Sequence, residues 1–133
     1  MDANPKTYLQ SLVKGYPLSS DGKLVKYTIE SEVQNLNMDT LISIGIISNE
    51  LITNSLKHAF TQTNHQPTIS ISLSKNGTNI CFNFQDNGSG FKSEKLTPSF
   101  GLELIKTMSE QLNGVSKIES KNGLCFSLSF KRL

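Results

Sequence analysis

The sequence predicts an α+β domain of two layers, in which a mixed sheet carries helices on one face. Hydrophobic residues recur at helical spacing in three segments and alternate at strand spacing in five others. The order is helix, strand, helix, two strands, helix, two strands, which favours a mixed sheet over a doubly wound one. A chain of 133 residues with 36% hydrophobic residues is long enough for one core. We therefore expect a single domain over residues 1–133.

The first half contains a short helix, a strand and a long helix. Asn4 to Lys14 is predicted helical, because Pro5 suits a first helical position and apolar residues share one face. Lys23 to Glu30 alternates as in a half-buried strand. Met38 to Phe60 holds no proline and keeps helical spacing of apolar residues, so it predicts the longest helix.

The second half contains two hairpins around a third helix. Thr61 to Pro67 and Asp86 to Pro98 are predicted loops. The third helix begins near Ser99 or Phe100 and ends at Asn113 and Gly114, where the chain turns. The predicted strands are Ile69–Leu73 and Ile80–Phe84, joined at Lys75–Gly77, and Val115–Glu119 and Leu124–Phe130, joined around Lys121–Gly123.

The bulk numbers exclude several classes of protein. A net charge of +2, scattered along the chain, gives no basic surface for nucleic acid. No stretch approaches the roughly 20 apolar residues of a membrane span, and no signal peptide opens the chain. Cys81 and Cys125 have neither metal-ligand spacing nor a nearby histidine, which predicts reduced thiols. We expect a cytoplasmic domain without direct membrane insertion; Met1 is equally consistent with a native start and with a boundary inside a longer protein.

Polar residues lie together on the long helix. Glu50, Asn54, Lys57 and His58 are spaced four, seven and eight residues from the first, so on an α-helix they share a face. A helix that simply needs a hydrated face explains them equally well.

A second polar motif, Asp86-Asn87-Gly88-Ser89-Gly90-Phe91, follows a predicted strand. A carboxylate can accept from an amino group, and glycines without side chains let the backbone approach a flat ring. An ordinary turn also has this composition.

The third motif is Ser99-Phe100-Gly101-Leu102-Glu103-Leu104, with Gly101 in the first turn of a predicted helix. Free amide groups and the helix dipole favour a phosphate there. A glycine near a helix start is common, so this motif too is weak by itself.

Taken together and in order, the three motifs resemble the N box and the two glycine boxes of the ATPase superfamily shared by DNA gyrase, Hsp90, histidine kinases and MutL. The N box is Glu50 to Ala59, and the resemblance covers about residues 20 to 131. It implies the Bergerat-type ATP-binding fold, a two-layer α/β sandwich, with ATP and Mg²⁺ as cofactors.

The resemblance also implies roles for individual residues. Glu50 would be the catalytic general base, and Asn54 the metal residue that holds Mg²⁺ through its amide oxygen. Asp86 would accept the amino group of adenine. The other residues implied in cofactor binding are Lys57 and His58 near the phosphates, Gly88 and Gly90 beside the adenine, and Ser99, Gly101 and Leu102 around the phosphate chain.

Within the superfamily the chain resembles the catalytic domain of bacterial sensor histidine kinases, through the second glycine box and through Glu110-Gln111-Leu112-Asn113-Gly114. Only eight residues, Phe91 to Pro98, separate the glycine boxes, so we expect a short lid that orders on nucleotide binding. Two features depart from the pattern: Gly123 is followed by Leu124 instead of threonine, and the second box has one glycine.

The resemblance implies a reaction completed on another piece of protein. His58 lies in the N box and His65 in a polar loop, so we expect the acceptor histidine on a separate dimerising helical hairpin of the parent kinase, which passes phosphate to a response regulator. The chain would then be the C-terminal part of a longer kinase, whether or not that kinase is membrane-anchored, and it would be monomeric alone. Two alternatives stay open: a serine kinase resembling the anti-sigma factors, and a degenerate nucleotide-binding module.

Overall fold

The computed structural model describes residues 1–16, 19–20, 23–60, 66–88, 100–120 and 123–132. Within these ranges it contains nine strands and three α-helices. The strands are β1 Asp2–Ala3, β2 Ser19–Ser20, β3 Lys23–Leu24, β4 Lys26–Ser31, β5 Leu36–Asn37, β6 Thr68–Asn76, β7 Asn79–Asp86, β8 Val115–Ser120 and β9 Leu124–Lys131. The helices are α1 Pro5–Val13, α2 Met38–Asn54 and α3 Phe100–Gln111.

Five strands form one mixed sheet in the order β4-β6-β7-β9-β8. The β4–β6 pair is parallel, and the other three pairs are antiparallel. A two-residue loop joins β6 to β7, and Gly77 takes a φ of 65° there. A positive φ at the first loop residue suits the right-handed twist of a hairpin. The predicted hairpins are confirmed.

All three helices contribute to one hydrophobic core on a single face of the sheet. Apolar side chains at alternate positions of β6, β7 and β9 point into this core. The opposite positions, such as Ser70, Asn83 and Ser127, are polar and more exposed. The prediction of an α+β sandwich with helices on one face is therefore confirmed.

The first helix begins as its sequence predicts. Asn4 caps α1 by accepting a hydrogen bond from the amide of Thr7 at 3.0 Å, and Pro5 occupies the first turn. Leu9 is fully buried against the core. These contacts hold α1 against β4 and α2.

The structure corrects two boundaries in the first half. The single strand predicted over Lys23 to Glu30 is wrong, because β3 pairs with β2 whereas β4 pairs with β6. The continuous α-helix predicted over Met38 to Phe60 is wrong after Asn54, where Ser55–Ala59 form a π-helical turn. Ser55 and Phe60 are both buried. A wider turn brings residues five apart to one face, which α-helical spacing does not.

Candidate functional site

The predicted polar residues gather at one end of the helical layer. Thr40 and Ser43 of α2 line the same groove as Met108 and Gln111 of α3, so the helices run antiparallel. The C-terminal end of α2, which carries Glu50 and Asn54, therefore lies at the same end as the N-terminus of α3. Asp86 ends β7 at this end too, since it contacts the residue that follows α2.

Asp86 is the most enclosed polar residue of the site. Its side chain is 1% exposed, although it is a carboxylate. Oδ1 accepts two backbone hydrogen bonds, from the amides of Gly88 and Leu124, each at 3.0 Å. Oδ2 accepts from the Ser55 hydroxyl at 2.7 Å. Three donors around one carboxylate match the acceptor-only character of its ionised form.

The residues that follow Asp86 fix the start of the predicted glycine loop. Asn87 accepts from the amide of Thr68 at 2.7 Å and donates to the carbonyl of Gln66 at 2.8 Å. The backbone amide of Asn87 donates to the carbonyl of Thr68 at 3.2 Å. Gly88 is buried. The chain therefore leaves β7 in a defined direction.

Sequence reasoning missed three of the groups around Asp86: Ser55, Gly123 and the amide of Leu124. Gly123 has a φ of 120°, and a Cβ there would lie 2.1 Å from the carbonyl oxygen of Asp86. Glycine is required because no side chain fits between the two backbones. A hydroxyl on the apolar face of a predicted helix was the available signal for Ser55.

Glu50 and Asn54 lie one turn apart on α2, both half-buried. Two tyrosines approach this face. The Tyr16 hydroxyl donates to Oδ1 of Asn49, next to Glu50. Burial raises the pKa of Tyr16, and Tyr27 and the Glu50 carboxylate raise that pKa further. Burial also raises the pKa of Tyr27. The neutral phenol of Tyr16 thus lies close enough to Glu50 to feel its charge, a neighbour that the sequence did not predict.

The structure describes some of the other predicted site residues and not the rest. Lys57 is exposed, and His58 shares the π-helical turn with it, so their positions relative to Glu50 do not follow from α-helical spacing. Gly101 and Leu102 lie in the first turn of α3, both half-exposed. Gly90 and Ser99 lie outside the described residues, as does the predicted lid.

The donor set suits a hard cation that keeps most of its waters. Among the described residues, no three His, Cys, Asp or Glu side chains form a metal-binding cluster. Asn54 offers a half-exposed amide oxygen one turn from the Glu50 carboxylate. Mg²⁺ retains several waters and takes few protein ligands alongside phosphate oxygens, so these residues fit it.

A family model described as "Histidine kinase-, DNA gyrase B-, and HSP90-like ATPase" matches residues 41–133, which include every predicted site residue. The chain belongs to this ATPase family. The match begins inside α2, so α1 and β4 lie outside it. The family assignment confirms the resemblance inferred from the three motifs.

Solved structures share the fold of this ATPase domain at low identity. A histidine kinase domain from the blue-light activated histidine kinase of Erythrobacter litoralis EL346 aligns with a TM-score of 0.78 and 15% identity, over 97% of this chain and 61% of that one. The Acinetobacter baumannii histidine kinase AdeS aligns with a TM-score of 0.79 and 15% identity, over 99% of this chain and 66% of that one. The catalytic domain of the histidine kinase ThkA aligns with a TM-score of 0.73 and 15% identity, over 99% of this chain and 95% of that one.

The ATPase domain thus spans less than two thirds of the first two structures and nearly all of the isolated ThkA catalytic domain. Comparison with curated protein sequences gave no match. Within the described part of the chain, none of the helices combines the length and the hydropathy needed to cross a membrane.

Proposed function

We propose that this domain binds Mg-ATP and transfers its γ-phosphoryl group to a histidine on a separate phosphoacceptor hairpin in two-component signal transduction. The observation that carries the proposal is the buried Asp86 carboxylate, which accepts hydrogen bonds from three donors. It lies beside the C-terminal end of α2, and the same end of this helix carries Glu50 and Asn54. Base recognition and phosphate chemistry would then take place at one end of the helical layer.

Adenine is the base that Asp86 selects. An ionised carboxylate is an acceptor only, so it binds the exocyclic amino group of adenine and repels the carbonyl of guanine. Gly88, buried beside it, leaves room for the ring. Gly90, as the second glycine of the motif, would form the adjoining wall.

Asn54 would hold Mg²⁺, which when bound offsets the charge of the phosphates. Glu50, one turn earlier, would accept the proton of the attacking nucleophile as general base. Lys57 and His58 would lie near the phosphates. The amides of Gly101 and Leu102, in the first turn of α3, and Ser99 before it, would bind the phosphate chain where the helix dipole favours negative charge.

The partners follow from this chemistry. The acceptor is a histidine on the dimerising hairpin of a parent kinase, and a response regulator receives the phosphate from it. We expect the isolated domain to be a cytoplasmic monomer, whether or not the parent is membrane-anchored, and to bind no nucleic acid. The solved structures that share this fold are histidine kinases, which supports this branch over a serine kinase.

Calorimetric titration with ATP and GTP in excess Mg²⁺ tests the adenine assignment. We expect preference for ATP, and a loss of about 10- to 100-fold in ATP affinity for Asp86→Asn, the scale of a hydrogen bond to a charged group. Asparagine keeps the shape of the buried side chain, and Glu110→Ala, exposed on α3, is the matched control. Equal affinity of the wild-type domain for ATP and GTP would exclude adenine recognition by Asp86.

A further inference from the structure

Ser55 stands out because its hydroxyl is buried and aimed at the base pocket. It is fully buried, and its Oγ lies 2.7 Å from Oδ2 of Asp86. Ser48, two turns earlier on the same helix, is equally buried, yet its Oγ has no hydrogen-bond partner among the described residues. Burial alone therefore does not explain the contact between Ser55 and Asp86.

The hydrogen bonds on Asp86 leave little acceptor capacity. A carboxylate has about four lone-pair sites, two on each oxygen. The amides of Gly88 and Leu124 occupy Oδ1, and the Ser55 hydroxyl occupies one site on Oδ2. Among the described residues, no donor takes the second site on Oδ2, beside the serine oxygen. A ligand amino group must therefore approach on the side that Ser55 defines.

Ser55 also fixes the direction of that last site. The torsion about the Cβ–Cγ bond has a broad minimum and moves both carboxylate oxygens together, so each added hydrogen bond narrows the range of orientations of Asp86. The hydroxyl of Ser55 holds Oδ2, and it is itself held by the π-helical turn that begins at Ser55. The helix that carries Glu50 and Asn54 is thereby connected to the base pocket through a single side chain.

We propose that Ser55 is a specificity-determining positioning residue, which orients Asp86 so that its one free acceptor site meets the 6-amino group of a purine nucleotide. The inference rests on the proposed function and deepens it. Ser55 acts through Asp86, and its effect is confined to ligands that carry the amino group. It also supplies a side-chain contact to Asp86 at the site where Leu124 replaces the expected threonine.

The test compares ATP with purine riboside triphosphate, which lacks the 6-amino group, by calorimetry on the full chain in excess Mg²⁺. The wild-type domain should prefer ATP by about 10-fold or more. In Ser55→Ala this ratio should fall about 3- to 10-fold, through weaker ATP binding with unchanged affinity for purine riboside triphosphate. Ser48→Ala removes an equally buried hydroxyl and should leave the ratio unchanged.

Ser55→Cys keeps a one-atom polar side chain, slightly larger than serine, that offers only a weak donor, so it should lower the ratio even if the alanine variant does not fold. A wild-type ratio in a folded Ser55→Ala or Ser55→Cys domain would overturn the inference and leave the proposed function intact. An equal loss of both ligands in the serine variants would mean a general structural role and would also overturn it. A wild-type domain that binds neither nucleotide would overturn both proposals.

Discussion

At the scale of single residues, the central feature is a carboxylate that is buried without a cation. No salt bridge among the described residues involves Asp86. A buried charge is costly unless hydrogen bonds replace its water, and charge-assisted bonds are about twice as strong as neutral ones. The amides of Gly88 and Leu124 provide two such bonds from rigid backbone. The proposed base-binding carboxylate is therefore oriented before any ligand arrives, which would lower the cost of ordering it on binding.

The first residue-scale prediction concerns Gly123, whose backbone lies against Asp86. Gly123→Ala should lower the free energy of unfolding by at least about 1–3 kcal/mol, because the new methyl group meets the Asp86 carbonyl and the φ of 120° is strained. It should also weaken ATP binding by displacing the Leu124 amide. Denaturant unfolding and calorimetry measure the two effects.

Gly77→Ala is the matched control for Gly123→Ala. Gly77 also has a positive φ, of 65°, but a Cβ there meets no atom within 4 Å. Its substitution should cost about 1–2 kcal/mol from backbone strain alone and leave ATP affinity unchanged. If the two variants lost the same stability and both kept wild-type ATP affinity, close packing of Gly123 on Asp86 would be contradicted.

At the scale of elements, α2 and its π-helical turn separate two functions along one helix. Glu50 and Asn54 occupy its half-exposed side, whereas Leu51 and Ser55 face the sheet. Neighbouring residues on a helix point about 100° apart, so Asn54 can serve the phosphates while Ser55 serves the base. The π-helical turn then allows Phe60 to enter the core on the same side as Ser55.

The sequence predicted α2 but not its end. Apolar residues through Leu51 fit α-helical spacing, and Ser55 and Ala59 continue it, so nothing in the periodicity indicates a wider turn. The five-residue spacing of Ser55 and Phe60 becomes visible only once the sheet beneath them is known. A single π-helical turn has no repeated pattern that a sequence could display.

The element-scale prediction is that substitutions one turn apart on α2 produce separate defects. Asn54→Ala should abolish the gain in ATP affinity that Mg²⁺ confers, because the amide oxygen is removed. Glu50→Gln should leave ATP binding nearly intact and slow phosphoryl transfer about 10²–10⁴-fold. Titration with and without Mg²⁺, and transfer rates with the acceptor hairpin, measure the two.

Each of these two variants is the control for the other, since the changes lie on one face of one helix. Loss of nucleotide binding together with unfolding in Glu50→Gln would assign this face a structural role. If Asn54→Ala slowed phosphoryl transfer but kept the gain in ATP affinity that Mg²⁺ confers, a residue other than Asn54 would hold the metal.

At the scale of the whole molecule, the central sheet and the helical layer could be predicted from the sequence. The two-residue strand pairs could not. Alternation predicted β6, β7, β8 and β9, and the part of β4 that lies within Lys23–Glu30, although no position of β8 is buried. The pair β1–β5 joins Asp2 and Ala3 to residues more than 30 positions away and is only two residues long. Leu36 is buried in the core and Ala3 packs against it, but two residues a strand are too few to show an alternating pattern in the sequence.

The candidate site likewise contains residues that the sequence predicted and residues that it did not. Glu50, Asn54 and Asp86 were predicted because their motifs, taken together and in order, resemble the N box and the first glycine box of a known superfamily. Ser55, Gly123 and the Leu124 amide were missed because each contributes through its three-dimensional proximity to Asp86, from segments 31 to 38 residues away in sequence. A backbone amide, moreover, carries no sequence signal.

The whole-molecule prediction is that the chain alone does not become phosphorylated, yet transfers phosphate from labelled ATP to a histidine on the parent's dimerising hairpin added in trans. Phosphoryl transfer depends mainly on positioning an acceptor in line with the γ-phosphate. His58 belongs to the π-helical turn at the end of α2, which we propose to be part of the ATP site, and we expect it to contact phosphate instead of accepting it. Binding and acceptance are then on separate pieces of protein.

The rate law and the chemistry of the product distinguish this reaction from its alternatives. Tethering in the parent would supply the hairpin at about millimolar effective concentration, so the reaction in trans should be slow and nearly first order in added hairpin. A hairpin whose histidine is replaced by glutamine is the matched control and should take up no label. Phosphohistidine is acid-labile; an acid-stable label on a serine of a partner protein would instead indicate the anti-sigma-like kinase. Stoichiometric labelling of the isolated chain at His58 or His65 would contradict the separation of donor site and acceptor, because it would mean that the domain presents its own histidine to the γ-phosphate.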